Sequence, residues 1–403
     1  MKNVEKNIFI KYKTRLEMNL LSSVGFFLVI CQFFCAAPVN IDFFSFRSPS
    51  RGCFSSFGGF LGFLKVFLHS IWNVIVLGCI VTSTYFQHKE FDQDMDVIQK
   101  ALYMGEYIFG TINVIIIIVS CQWQRSFYRF HFKRIVDSAL RLHRFGFIPK
   151  FLEIKLFLRR CVSICGIFFI VVVIIDLFYN QLIPKSFFRS STVYTIPNVI
   201  SCLAIIQLAG VLFIQRSMIT HINSHLLDLD GISLTAPFSL PFAQEAIDTI
   251  DSLRKIHRDL ANMAEIVIRN FGILIVTTFT ACFLILSIQL FALYQMFENY
   301  KSSNIFLLWY TILWIFLHGG KIVLIVYFSA SFTKEKMRTG MVLHQMEIRK
   351  QFQTDALVTS INKFSMQILH EPKHHSACDI IDLDLTLLNT VSLTEFHQSL
   401  VFP

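Results

Sequence analysis

The stretch WIFLHGGKIVLIVYF, Trp314 to Phe328, sets an imidazole and an ammonium inside a long apolar run. In a bilayer core such groups cost several kcal/mol unless they find a partner or a wet cavity. Lys321 and His318 are therefore the first candidates for ligand binding or a gating ion pair. Gly319 and Gly320 between them would let a second helix approach closely or let this one bend. Trp309 and Trp314 could supply aromatic walls above the pair, although Trp309 could equally anchor the chain at the membrane surface.

Other polar residues lie within apolar runs. Glu106 and Asp176 fall near the outer ends of theirs and read either as pocket groups or as solvated helix ends. Asp176 is a conceivable partner for Lys321, with depth arguing against direct contact. Asn113, Gln207 and Gln289 are deeper, where hydrogen bonding between helices is the ordinary role. No phosphate-binding Gly-Lys loop, serine elbow or HExxH zinc motif occurs, so no catalytic residue and no cofactor is expected. His370, His374, His375 and Cys378 are compactly spaced, but a metal site is the weaker reading of them.

The segments that must position these groups follow from composition. Of 403 residues, 54% are hydrophobic and 16% charged, with 44 Phe. The apolar residues are clumped into runs, which indicates an all-α, polytopic helical membrane protein in a single membrane domain. The net charge of +9 is carried by Lys and Arg beside those runs, so it reports membrane topology rather than nucleic-acid binding. The ten cysteines lack a zinc-like CxxC pair and read as packing residues.

Six spans are expected, near Leu61 to Phe86, Ala101 to Cys121, Cys161 to Tyr179, Pro197 to Met218, Phe271 to Phe297 and Ile305 to Phe332. Between the second and third lie Arg125, Arg129, Lys133, Arg134, Arg141, Arg144, Lys150, Lys155, Arg159 and Arg160, against only Asp137 and Glu153. That connection is cytoplasmic, and the acidic Gln87 to Lys100 lies outside. The N-terminus is then cytoplasmic, and within residues 1–60 the apolar run Leu20 to Val39 lies in the interface or enters partway. Residues 61–332 form the six-span bundle. Stripes at Ile247, Ile250, Leu253, Ile256, Leu260 and Met263, and at Val358, Ile361, Phe364 and Ile368, predict packed cytoplasmic helices.

The most identifying segment is FSMQILHEPKHHSACDIIDLDLTLL. It resembles the stretch that precedes the last span in insect gustatory receptors, through Phe364, Ser365, Gln367, Leu369, His370, Pro372, Ala377, Cys378, Asp382, Leu383, Asp384, Leu387 and Leu388. The resemblance implies a plasma-membrane chemoreceptor of seven helices with an inverted topology, working as a ligand-gated cation channel. It further implies four like or unlike subunits around a pore lined by the last helix, joined by cytoplasmic helices. A small-molecule tastant would sit between helices in the outer half, among membrane lipids.

Two departures stand out. Family members carry Gly after the Cys, where this chain has Asp379. Residues 333–388 hold the cytoplasmic helices and the motif, but 389–403 read NTVSLTEFHQSLVFP, too short and polar to cross about 30 Å of hydrocarbon. On the sequence alone the family's seventh span is expected to be absent, leaving a non-conducting or modulatory variant as the alternative. A transporter or a G-protein-coupled receptor is less well supported.

Overall fold

The computed structural model describes residues 2–38, 55–89, 97–179, 188, 190–235, 240–298, 305–348, 355–372, 376–384 and 386. They are almost entirely helical. In order come α1 (Lys2–Phe33), α2 (Ser55–Lys89), α3 (Val97–Trp123), α4 (Arg125–His143) and α5 (Phe151–Tyr179). A π-helical turn, Ser191–Thr195, opens α6 (Ile196–Thr235); α7 (Leu240–Asn270), α8 (Gly272–Glu298), α9 (Ile305–Ile348) and α10 (Asp355–His370) follow. A small hairpin of β1 (Ser376–Ala377) and β2 (Ile381–Asp382) comes last.

Among the described residues seven helices are long and apolar enough to cross a membrane. Six match the expected spans. The seventh is Lys11–Phe33 of α1, so the Leu20 run belongs to a longer and more regular helix than its sequence indicated. Lipid has no hydrogen-bonding capacity, and a helix keeps its backbone groups paired internally. On α2, Phe63, Phe67, Leu68, Val74 and Ile75 point outward, and on α5 Ile164, Ile167, Ile170 and Ile174 do the same. Spans apolar on both faces bury one and offer the other to lipid. α6 and α9 form the central pair, with α3, α5 and α8 around them.

Pro197 explains the irregular start of α6. It lacks an N–H, and the π turn immediately before it absorbs the missing rung of the ladder. The Gly319–Gly320 expectation is not met. A Cβ at either position would meet nothing within 4 Å, and α9 runs unbroken through both. The close approaches are elsewhere, at Gly210, where an added Cβ would lie 3.1 Å from Leu158 Cδ2, and at Gly272.

α1 is oriented by polar contacts at both ends. Lys13 Nζ donates to Asp137 Oδ1 at 2.7 Å, and Tyr12 stacks on His143 of the basic connection. At the other end Trp72 Nε1 donates to Phe33 O at 2.7 Å and Gln207 Nε2 to Ala36 O at 2.8 Å. The helix closes with Cys35 at φ 59°, Cys35 N–H bonding Gln32 O and Ala36 N–H bonding Cys31 O. That is a Schellman closure with Cys in the position Gly usually holds.

On the side of the basic connection, α7 and α10 bury Ile250, Leu253, Ile256, Leu260, Leu357, Ile361, Phe364 and Ile368, α7 packing on α6 and α10, and α10 also on α9. Polar links fix the register. Ser360 Oγ donates to Asp251 Oδ1 at 3.1 Å, and Lys336 Nζ to Pro372 O at 2.7 Å. Asn223 Nδ2 reaches Glu335 Oε1 at 3.0 Å and Thr339 Oγ1 donates back to Asn223 Oδ1 at 2.6 Å.

The hairpin accounts for the departure at Asp379. Cys378 and Asp379 have φ of 54° and 56°, and Ile380 N–H bonds Ala377 O at 3.1 Å, so both central turn positions are left-handed. Gly meets that requirement without strain, and Asp is one of the few residues that tolerates it. Beyond the hairpin, Asp384 Oδ1 accepts the Thr386 N–H at 3.0 Å, the bond of a helix N-cap. Residues 389–403, on which the missing-span expectation falls, lie outside the described residues.

Candidate ligand site between four helices

α3, α6, α8 and α9 enclose a cavity of about 20 Å³. Its wall includes Glu106, Asn113, His318 and Lys321. α9 carries His318 and Lys321 three apart, hence on one face. α6 meets that face with Asn198 and Ser201, also three apart. Lys321 Nζ donates to Asn198 Oδ1, and Asn198 Nδ2 donates to Tyr194 O at 2.8 Å. The second bond aims the amide so that its oxygen, not its nitrogen, faces the ammonium. Lys321 is 4% exposed and His318 2%, while Asn198 and Tyr194 are half-buried.

Around this centre the other polar groups are paired across helices. Gln289 Nε2 donates to both Glu106 carboxylate oxygens at 3.4 Å, tying α8 to α3. Asn113 Oδ1 accepts from Thr277 Oγ1 at 3.1 Å and Thr278 Oγ1 at 3.3 Å. Asp176 Oδ1 accepts from Ser190 Oγ at 2.9 Å, so its bond is local and not to Lys321. Tyr310 stands between Trp314 and Ser190, within electrostatic reach of Asp176 and Glu106. Trp314 is fully buried, stacked on His318 with centroids 5.8 Å apart.

Among the sequence candidates, Asp176, Trp309 and Gln207 lie off the cavity wall. Trp309 is 55% exposed on the outside of α9 and does not wall the cavity. Gln207 is buried, but it accepts from Tyr128 Oη at 2.9 Å and holds the end of α1, away from the cavity. Asn198, Ser201, Tyr107 and Tyr194 were not singled out from sequence, although they line the cavity. The signal for Asn198 was faint, since an Asn next to a span-opening Pro reads as a helix end. Twenty cubic ångströms holds about one water, against several hundred for a pocket occupied by a drug-sized ligand. The site is assembled but closed.

The motif residues form a second cluster on the opposite side. Phe364 is fully buried with its ring 5.4 Å from His257, and Gln367 Nε2 donates to Glu371 Oε1 at 3.2 Å. Ala377 is buried, Asp382 pairs with Ser376 across the hairpin, and His370 is exposed at the end of α10. Burial alone would push the Glu371 carboxyl up; His257, Lys336 and Gln367 together hold it below the usual carboxylate value.

This arrangement has counterparts among known proteins. Residues 26–394 match the 7tm Chemosensory receptor family. The chain belongs to that family. Two Drosophila melanogaster proteins that bear gustatory-receptor names are similar to it. Gustatory receptor 59f is 24% identical over 337 residues, covering 80% of this chain and 76% of its own. Gustatory receptor 59e is 21% identical over 356 residues, covering 81% and 84%. Among solved structures, the insect olfactory receptor OR5 from Machilis hrabei superposes with a TM-score of 0.61 at 9% identity, covering 96% of this chain and 98% of that one. Its complex with eugenol gives 0.58 at 12% identity, with 96% of each chain covered. As a 7tm chemosensory receptor, the chain is a multi-pass protein of the plasma membrane and not an enzyme. The fold it shares with OR5 rests on hydrophobic layout far more than on identical residues.

Proposed function

We propose that this chain is a subunit of a cation channel gated by a small-molecule tastant bound in the cavity between α3, α6, α8 and α9. The observation that carries the reading is the bond of the buried Lys321 to Asn198, with the buried His318 beside it. Four helices spend a costly ammonium at a place where nothing in the bundle's packing requires one. OR5, of the same fold, has been solved with eugenol, so a related fold takes a small organic molecule.

Gating is population shift. A ligand that fits only an enlarged cavity favours the conformation in which α6 and α9 have separated, and state-independent contacts contribute nothing. The bistable movement at the cavity reaches the far side through α9, whose lower half holds α10 and the hairpin by the Lys336–Pro372 bond. α7 and α10 join the subunits, four in number by family resemblance. In this reading α1 enters from the cytoplasmic face along α4 and α5 and turns back at Cys35–Ala37, leaving the N-terminus inside.

The test is recording from cells that express the chain with an N-terminal tag. Tastant-evoked cation currents that Lys321→Met abolishes while surface delivery persists are the expected result. Currents unchanged in Lys321→Met would remove the site, and tag labelling in intact cells would remove the topology.

A further inference from the structure

The floor of the cavity holds more hydrogen-bonding capacity than the protein uses. Ser201 Oγ is buried without a hydrogen-bond partner, and so are both ring nitrogens of His318. Lys321 makes one hydrogen bond, to a neutral amide oxygen, from an ammonium with three N–H groups. These groups come from two facing helices, two from each with Asn198, and all line one cavity. Buried polar groups are nearly always satisfied, and orphans that line one cavity call for a complementary group.

An anion is that group. Lys321, an imidazole N–H of His318 and the Ser201 hydroxyl are donors, and Asn198 is turned so that its oxygen steadies the ammonium. A single water offers two acceptor sites, whereas a carboxylate offers about four in one plane. Charge-assisted bonds of this kind are also about twice as strong as neutral ones. The outer wall differs. There Glu106, held by Gln289, and Tyr107 face the same space, and a carboxylate wall favours a donor. Resting on the ligand site proposed above, we infer that the ligand is a small carboxylate with an amino or hydroxyl group at its other end. Its carboxylate is bound by Lys321, His318 and Ser201, and its donor points to Glu106.

The experiment titrates the purified full-length chain in detergent with 3-hydroxybutyrate and 4-aminobutyrate, and with the uncharged methyl 3-hydroxybutyrate and 1,3-butanediol, following thermal stabilisation. The carboxylates are expected to stabilise the chain in a saturable manner and the uncharged probes at least ten-fold more weakly. Lys321→Met should abolish the effect. Ser201→Ala, which removes one oxygen and no existing bond, should weaken carboxylate binding several-fold with the fold intact. If the diol or ester binds as well and Ser201→Ala weakens it, the cavity stands and the anion inference falls. If none of the four probes stabilises the chain, the anion inference also falls, and the choice of cavity rests on the recordings. Carboxylate binding unchanged in both variants overturns the inference and the choice of cavity together.

Discussion

Gly272 and Cys378 meet so closely that a Cβ on Gly272 would lie 2.8 Å from Cys378 Sγ and 3.3 Å from its backbone N. Gly272 opens α8, one of the helices around the cavity, and Cys378 is the first central residue of the hairpin turn. The motif is thus seated directly on the start of a helix that walls the cavity. Its sequence signature reports a joint between α8 and the segment of α10 and the hairpin.

Gly272→Ala tests that joint. The new methyl meets backbone as well as sulfur, so a side-chain rotation alone cannot relieve it. Overpacking of this type costs about 1–3 kcal/mol. A lower melting temperature is expected in detergent, partly restored when Cys378→Gly removes the sulfur and frees the turn. A Gly272→Ala chain as stable as the parent would show that the hairpin docks loosely.

Asp379→Gly should act in the opposite direction. Asp379 is exposed, makes no contact that argues for the side chain, and holds a left-handed φ of 56°. Relief of that conformation contributes about 1 kcal/mol, offset in part by the larger entropy of Gly in the unfolded chain. A rise in melting temperature of about 1 °C is expected, and a fall would mean that Asp379 has a partner outside this chain.

Much of this architecture was legible in advance, and the boundary has physical causes. Spans such as Cys161 to Tyr179 announce themselves because lipid solvates any long apolar helix, whatever its neighbours. The stripes of α7 and α10 are readable because one packed face imposes helical periodicity. The Lys321–Asn198 bond was not, since it depends on how α6 crosses α9, and 3.6-residue spacing says nothing of that. Gln207 stands off this cavity's wall for the same reason: burial was inferable, but its partner was the end of α1. Gly319 and Gly320 misled because small residues license a close approach without compelling one.

Acid should weaken the fold through His131. It lies buried on α4, hydrogen-bonded to Gln215 at 3.2 Å, and burial, then Arg134, push its value down to about 4. The folded state therefore binds fewer protons than the unfolded chain between about pH 6.5 and 4, and stability rises with pH there. The contribution is complete above about 6.5 and lost as pH falls toward 4, on the order of 3 kcal/mol at most. Glu371, held below its usual value, adds a loss of the same sign at lower pH. Melting temperature against pH should fall less steeply in His131→Asn than in the parent; parallel curves would assign the acid loss to other groups.

Gln207→Leu separates anchoring from sensing. The amide of Gln207 donates to Ala36 O and its oxygen accepts from Tyr128, so one side chain ties α6 to the turn of α1 and to α4. Replacing it with an isosteric hydrocarbon leaves a buried carbonyl and a buried hydroxyl unpaired, at about 1–3 kcal/mol each. The turn would lose its hold while the cavity, whose wall Gln207 does not reach, keeps every polar bond. The expected outcome is a lower melting temperature and faster proteolysis near residues 34–38, with carboxylate stabilisation at unchanged concentration dependence. A shift in ligand dependence equal to that of Ser201→Ala would instead couple α1 to the cavity and place Gln207 back among the sensing residues.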